Sequence, residues 1–328
     1  MNTHINLDKI KGTPIFKALS RLSVLLILFI ILAFTTHNFI KASNLSTILL
    51  QVAVYAVIAY GVTFVLIVGA TDLSAGSVVG LAGIVTALLL RDYNVSPIVA
   101  ILAGLATGLL CGFINGICVT YLKIMPFIAT LGTSWIFRGF CQLIGDGQPV
   151  TIRSSTNPEA AEFLKTLGSG RIGGFPIAAI VFLVLAVVLS ILLTKTVLGR
   201  NVFATGSNEE AARLSGINVR RTTICAFMLC DVMAALAGVL ITARLSSGQI
   251  AAGTGYELEG IAAAVIGGVS LMGGEGSIAG ALIGALIMGM LRNGLNLNGI
   301  NSYWQQIVIG TILIFAVAFD LFQRRKNK

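Results

Sequence analysis

The chain has 328 residues, of which 56% are hydrophobic and 11% charged, with a formal charge of +9 and a mean hydropathy of +0.94. A soluble globular domain carries roughly 25% charged residues, so the composition excludes that class and predicts an all-α polytopic membrane protein. The positive charge does not point to nucleic acid, because the cations gather at the two termini and between Lys195 and Arg221 without interleaved aromatics. Retention of basic loops on the cytoplasmic side explains that distribution.

In chain order, residues 1–21 form a basic segment with Lys9, Lys11, Lys17 and Arg21. The apolar run Leu22–Phe34 follows. No small-residue cleavage site stands close behind it, so it reads as a retained first helix and not a signal peptide. Further spans are predicted at Leu45–Gly69, Leu73–Leu90, Val95–Leu122 and Pro126–Ile144. A polar segment occupies 145–174, and Phe175–Leu193 is the sixth span. The basic stretch 195–221 separates it from Thr222–Ala243, which carries Asp231. A loop is expected over 244–258. Ile261–Met272 is apolar but too short to cross ~30 Å upright. Ser277–Leu291 and Tyr303–Phe319 complete the series, and 320–328 is a basic tail. The expectation is one transmembrane domain over 1–328, with about ten transmembrane helices and both termini cytoplasmic. That count places every strongly basic segment on one side and leaves 145–174 and 244–258 on the other.

Gly104, Gly108, Gly112 and Gly116 recur every four residues, a smooth stripe against which another helix backbone can pack closely. Gly76-Ser77-Val78-Val79-Gly80 is echoed by Gly276-Ser277-Ile278-Ala279-Gly280, a hint of an internal repeat. The five cysteines all lie in apolar runs and show no metal-ligand or disulfide spacing. No P-loop, dinucleotide-binding fingerprint or paired catalytic carboxylates occur. Neither an enzyme nor a cofactor is therefore expected.

Polar residues inside the spans are costly and are functional candidates by default. Asp231 stands near mid-depth of its span and is available to bind substrate hydroxyls, to carry a proton, to pair with Arg138, or to fix helix packing. Gln51, Thr63, Asn115, Thr130 and Thr133 supply donors and acceptors either for a translocation pathway or for helix–helix hydrogen bonds. Arg138 is expected near the outer interface with its stem snorkelling. Asp72 and Glu275 fall in inner turns, where each can cap a helix or touch a cytosolic partner.

The stretch 195–221 holds a compact helix signal. Ser207 is read as the N-cap and Glu210 as its capping-box partner. Glu209 and Glu210 suit the positive end of the helix dipole, Ala211, Ala212, Arg213 and Leu214 favour helix, and Gly216 supplies the left-handed stop. Two turns are marginal alone in water, so this helix is expected to dock on something.

Glu210-Ala211-Ala212, with Gly216 four residues on, resembles the E-A-A…G loop of ABC-importer permeases. Residues 204–219 are similar to the corresponding loop of the ribose-type sugar permeases. The same group is matched at 70–77, at Phe127–Gly132, at 243–247, at 253–258 and at 293–297, so the resemblance runs from about residue 44 to the C-terminus. It implies a permease of a binding-protein-dependent sugar importer in the bacterial cytoplasmic membrane. A cytosolic ABC ATPase would dock on residues 207–216, an extracytoplasmic sugar-binding protein would deliver substrate to segments 145–174 and 244–258, and a second permease copy would complete the pore. The alternative is a proton-coupled secondary sugar transporter that uses Asp231.

Overall fold

The computed structural model describes residues 14–152 and 158–326. Helices dominate it: α1 (Pro14–Thr35), α2 (Ala42–Val68), α3 (Ala75–Asp92), α4 (Pro97–Thr120), α5 (Pro126–Ile144), α6 (Pro158–Ser169), α7 (Ile177–Lys195), α8 (Val197–Ser207), α9 (Glu209–Leu214), α10 (Val219–Leu245), α11 (Tyr256–Ile266), α12 (Ile278–Leu297) and α13 (Ser302–Lys326). Among the described residues, seven helices are long and apolar enough to cross a membrane: α2, α3, α4, α5, α7, α10 and α12.

Helix α2 is the axis. Its sequence is apolar on every face, the pattern of a helix surrounded by protein, and its apolar window is 94% buried. Helices α10, α12, α11 and α7 enclose it, and α10 in turn packs on α3 and α4. The outer helices follow the opposite rule. Leu102, Leu109 and Leu110 on α4, Phe127 and Trp135 on α5, and Leu183 and Val187 on α7 are exposed, which in this protein means facing lipid or another subunit.

The glycine stripe of α4 sets a close approach to α10. A Cβ at Gly108 would collide with the carbonyl oxygen of Asp231, and one at Gly112 with that of Phe227. Only hydrogen in place of a side chain lets α4 and α10 lie this near.

Two elements depart from expectation. The predicted span Ile261–Met272 is instead helix α11, which begins earlier, at Tyr256, and stops at Ile266. Gly268, at φ +82°, turns the chain left-handedly at that point, and 269–277 continues as a loop. The described residues of the polar segment 145–174 carry secondary structure: strand β1 (Val150–Thr151), α6, and β2 (Arg171–Ile172), which forms a short hairpin with β3 (Phe175–Pro176) just beyond. Strand β1 pairs antiparallel with β4 (Ser247–Gly248), Val150 opposite Gly248. The two segments expected on the outer side are thus joined to each other.

Candidate functional site

Three groups of residues stand out, at one end of the bundle, in its interior and at the other end.

At the first end lies the basic loop. It holds two helices, not one. The Thr196 side chain caps α8 by accepting from the Gly199 N–H at 3.2 Å. The cap of α9 is Asn208, not Ser207: the Asn208 side chain accepts from the Ala211 N–H at 3.0 Å. Ser207 still belongs to α8, whereas Asn208 is extended (φ −162°, ψ 105°), the conformation an N-cap needs. Glu210 therefore forms no capping box with Ser207. It pairs instead with Arg213 at 3.1 Å on the exposed surface. Gly216 does stop the helix at φ +82°, with its N–H on the Arg213 carbonyl at 3.0 Å. Glu209, Glu210, Ala211 and Arg213 are exposed, and Ala212 is buried underneath. Leu214 is 81% exposed, a large apolar side chain at the tip of an otherwise polar loop.

This loop is seated on the central helix. Gly206 lies so close to the Ile67 carbonyl near the end of α2 that a Cβ would overlap it. The same carbonyl accepts from the Gly274 N–H at 2.8 Å, which brings the 269–277 loop and the exposed Glu275 to this end. Arg220, at the start of α10, stacks over the Tyr121 ring after α4, 5.3 Å from its centroid. These contacts seat α8 and the 269–277 loop on the end of α2, and the start of α10 on the end of α4.

In the interior, five of the singled-out polar residues form one network. Asp231 Oδ2 accepts from Asn115 Nδ2 at 2.9 Å, and Asn115 also donates to Ser74 Oγ at 2.7 Å. Thr133 Oγ1 donates to Asn115 Oδ1 at 2.6 Å. Asp72 Oδ1 accepts from the Ser74 N–H at 2.8 Å and hydroxyl at 2.7 Å. Thr130 Oγ1 accepts from the Leu73 N–H at 3.1 Å. Asp72 and Asp231 are both fully buried, so Asp72 faces the interior and offers no surface to a cytosolic partner. Thr63 stands apart, buried and bonded to the Ala59 carbonyl of its own helix at 2.7 Å.

Arg138 does not snorkel and does not meet Asp231. Its guanidinium turns inward and donates to the carbonyls of Ala252 at 2.9 Å and Gly76 at 3.1 Å. It binds the loop before α11 to the start of α3. Backbone carbonyls left free by the helix ladders are strong acceptors, which explains why the guanidinium turns toward them.

At the far end, Gln51 and Tyr55 on α2, Tyr256 on α11, Arg292 and Asn296 on α12 and Gln305 on α13 line a cavity of about 450 Å³. Arg292 forms an ion pair with Glu259 at 2.7 Å and donates to the Tyr55 hydroxyl. Tyr55 and Tyr256 meet edge to face, 5.5 Å between centroids. Gln51 Oε1 and Arg292 Nε are buried with no hydrogen-bond partner. Aromatic faces beside unspent donors and acceptors suit a polyol. Of these residues, sequence reasoning had singled out Gln51 alone. The spacing of Gln51 with Tyr55 and of Arg292 with Asn296, each four apart on one helix face, was the available signal.

Compared with known proteins, residues 44–317 match the family model described as branched-chain amino acid transport system / permease component. The chain is 43% identical over 296 residues, 90% of each chain, to the ribose import permease protein RbsC of Bacillus subtilis (strain 168). It is 42% identical over 299 residues, 91% of this chain and 92% of the relative, to the protein of the same name from Escherichia coli (strain K12). The galactose/methyl galactoside import permease protein MglC of Escherichia coli (strain K12) is 39% identical over 318 residues, 93% and 94% of the two chains. No solved structure gives a significant match.

Proposed function

Because this chain belongs to the branched-chain amino acid transport system / permease component family, we propose that it is the membrane permease subunit of an ATP-driven, binding-protein-dependent importer for ribose or a related monosaccharide. The observation that carries the reading is the identity of about 40% to ribose import permeases along nine-tenths of the chain. The protein is a multi-pass component of the bacterial cytoplasmic membrane. Ten helices span or enter the bilayer (α1–α5, α7 and α10–α13), and both termini are cytoplasmic. The whole chain is one permease domain, with 1–21, the coupling loop 195–221 and 320–328 on the cytoplasmic side.

It is not itself an enzyme in this reading. A separate ABC ATPase docks on α9, with Asn208, Glu209, Glu210, Arg213 and Leu214 facing it and Glu275 nearby. The capped but short helix transmits the ATPase movement through Gly206 to α2 and through Gly216 to α10. On the opposite face, a sugar-binding protein meets the surface built around the β1–β4 pair. The cavity beside Gln51, Tyr55 and Arg292 then offers hydroxyl-binding groups close to that surface. A second copy of the chain completes the pathway, and the exposed faces of α4 and α5 are open to it.

The ATPase contact is tested by co-purification. Gly216→Pro cannot adopt the positive φ and loses the N–H that closes the helix, and Glu210→Lys reverses the charge at the positive end of α9. Both variants should insert normally yet lose the ATPase. Undiminished co-purification with both would remove α9 from the docking site.

A further inference from the structure

The interior network leaves one feature that transport through a pathway does not require. The donors reaching Asp72 and Asp231 serve only one oxygen of each. Asp72 Oδ1 takes the Ser74 N–H and hydroxyl, and Asp231 Oδ2 takes the Asn115 amide. The other two oxygens, Asp72 Oδ2 and Asp231 Oδ1, are buried and receive no hydrogen bond from the protein. One carboxylate oxygen from each residue and Cys230 Sγ lie within 4.8 Å of one another.

Two facing carboxylates, both fully buried, cannot both stay ionised. A compensating cation of the protein is missing from the pair. Arg138 is committed to backbone carbonyls, and the ion pairs of the described residues do not include Asp72 or Asp231. The other titratable groups that face the pair are the thiols of Cys111 on α4 and Cys230 on α10, and the Glu257 carboxyl at the start of α11. None brings a positive charge. Helix α2 contributes Gly61 against Cys230, and α5 contributes the neutral Thr133. Two carboxylate oxygens and one sulfur are also a set that zinc accepts with a water in the fourth place, so the test below separates a metal from a proton.

We propose that Asp72 and Asp231 hold a single proton between Asp72 Oδ2 and Asp231 Oδ1, a proton-binding site that joins the turn before α3 to the middle of α10. One acid and one carboxylate then share the site. The three donors from Ser74 and Asn115 stabilise the single remaining negative charge. The proton is captive: it holds two helices together and is not carried across. It is independent of the sugar reading, because it rests only on the burial and facing of two carboxyls in this chain.

Infrared spectroscopy of the full-length protein in lipid at neutral pH tests it. The wild type should show a protonated-carboxyl C=O band that exchanges slowly in D₂O. Asp72→Asn and Asp231→Asn should each lower that band by one carboxyl equivalent, since the asparagine amide replaces the shared proton. Absence of the band in wild type overturns the proposal without any variant. So does a band that survives whole in either variant, or a stoichiometric metal in the purified protein that leaves with Asp231→Asn.

Discussion

Arg292 shows how a single side chain is held in this protein. Its side chain is 25% exposed and that of Glu259 10%, so removing one partner leaves a largely desolvated charge. Arg292→Ala should therefore destabilise the protein by about 3 kcal/mol, read as a lower melting temperature in detergent. Adding Glu259→Ala should restore part of the loss. Gly108→Val tests the close contact of α4 with α10. Its Cβ would meet the α10 backbone at Asp231, and overpacking of this kind costs roughly 1–3 kcal/mol or more. The yield of folded protein should fall, whereas Gly132→Ala on the open face of α5, with no atom within 4 Å of the added carbon, should be neutral. Individual polar residues such as Asp231, Asn115 and Thr133 were legible in the sequence because each interrupts an apolar run. Their union was not, because Asp72, Asn115, Thr133 and Asp231 lie on separate segments that only tertiary packing brings together.

At the scale of elements, α9 is where the proposed ATPase contact is placed. Its sequence signals were nearly sufficient: acidic first turn, strong helix formers and a glycine stop. They misplaced the cap by one residue, since both Ser207 and Asn208 are good caps and the choice fell to α8, which extends through Ser207. Asn208→Ala should weaken α9 by about 1 kcal/mol and loosen the ATPase without altering insertion. Leu214→Glu should weaken that association roughly tenfold or more, because burying one leucine in a groove contributes about 1.5–3 kcal/mol. Equilibrium binding of the purified ATPase to permease in nanodiscs measures both. Helix α11 was legible only as something too short to cross. Its start is set by packing: Gly253 sits against the Gly76 carbonyl and Val79 of α3, a contact between segments far apart in the chain.

For the whole molecule, apolar run length revealed the all-α membrane architecture, since the hydrophobicity of a span is a local property of the sequence. The pairing of β1 with β4 and the cavity near it arise from contacts between distant segments, which no local pattern encodes. Together they give a molecule with the short helix α9 at one end, the β1–β4 pair and the cavity at the other, and a buried polar network between. A permease driven from one end and supplied at the other needs that arrangement. The decisive measurement is uptake of labelled ribose and galactose into proteoliposomes that contain this chain, its ABC ATPase and the sugar-binding protein. The account predicts accumulation of a monosaccharide that requires ATP and the binding protein and is lost with Gly216→Pro. Robust uptake by this chain alone, driven by an imposed proton gradient without ATP, would contradict it.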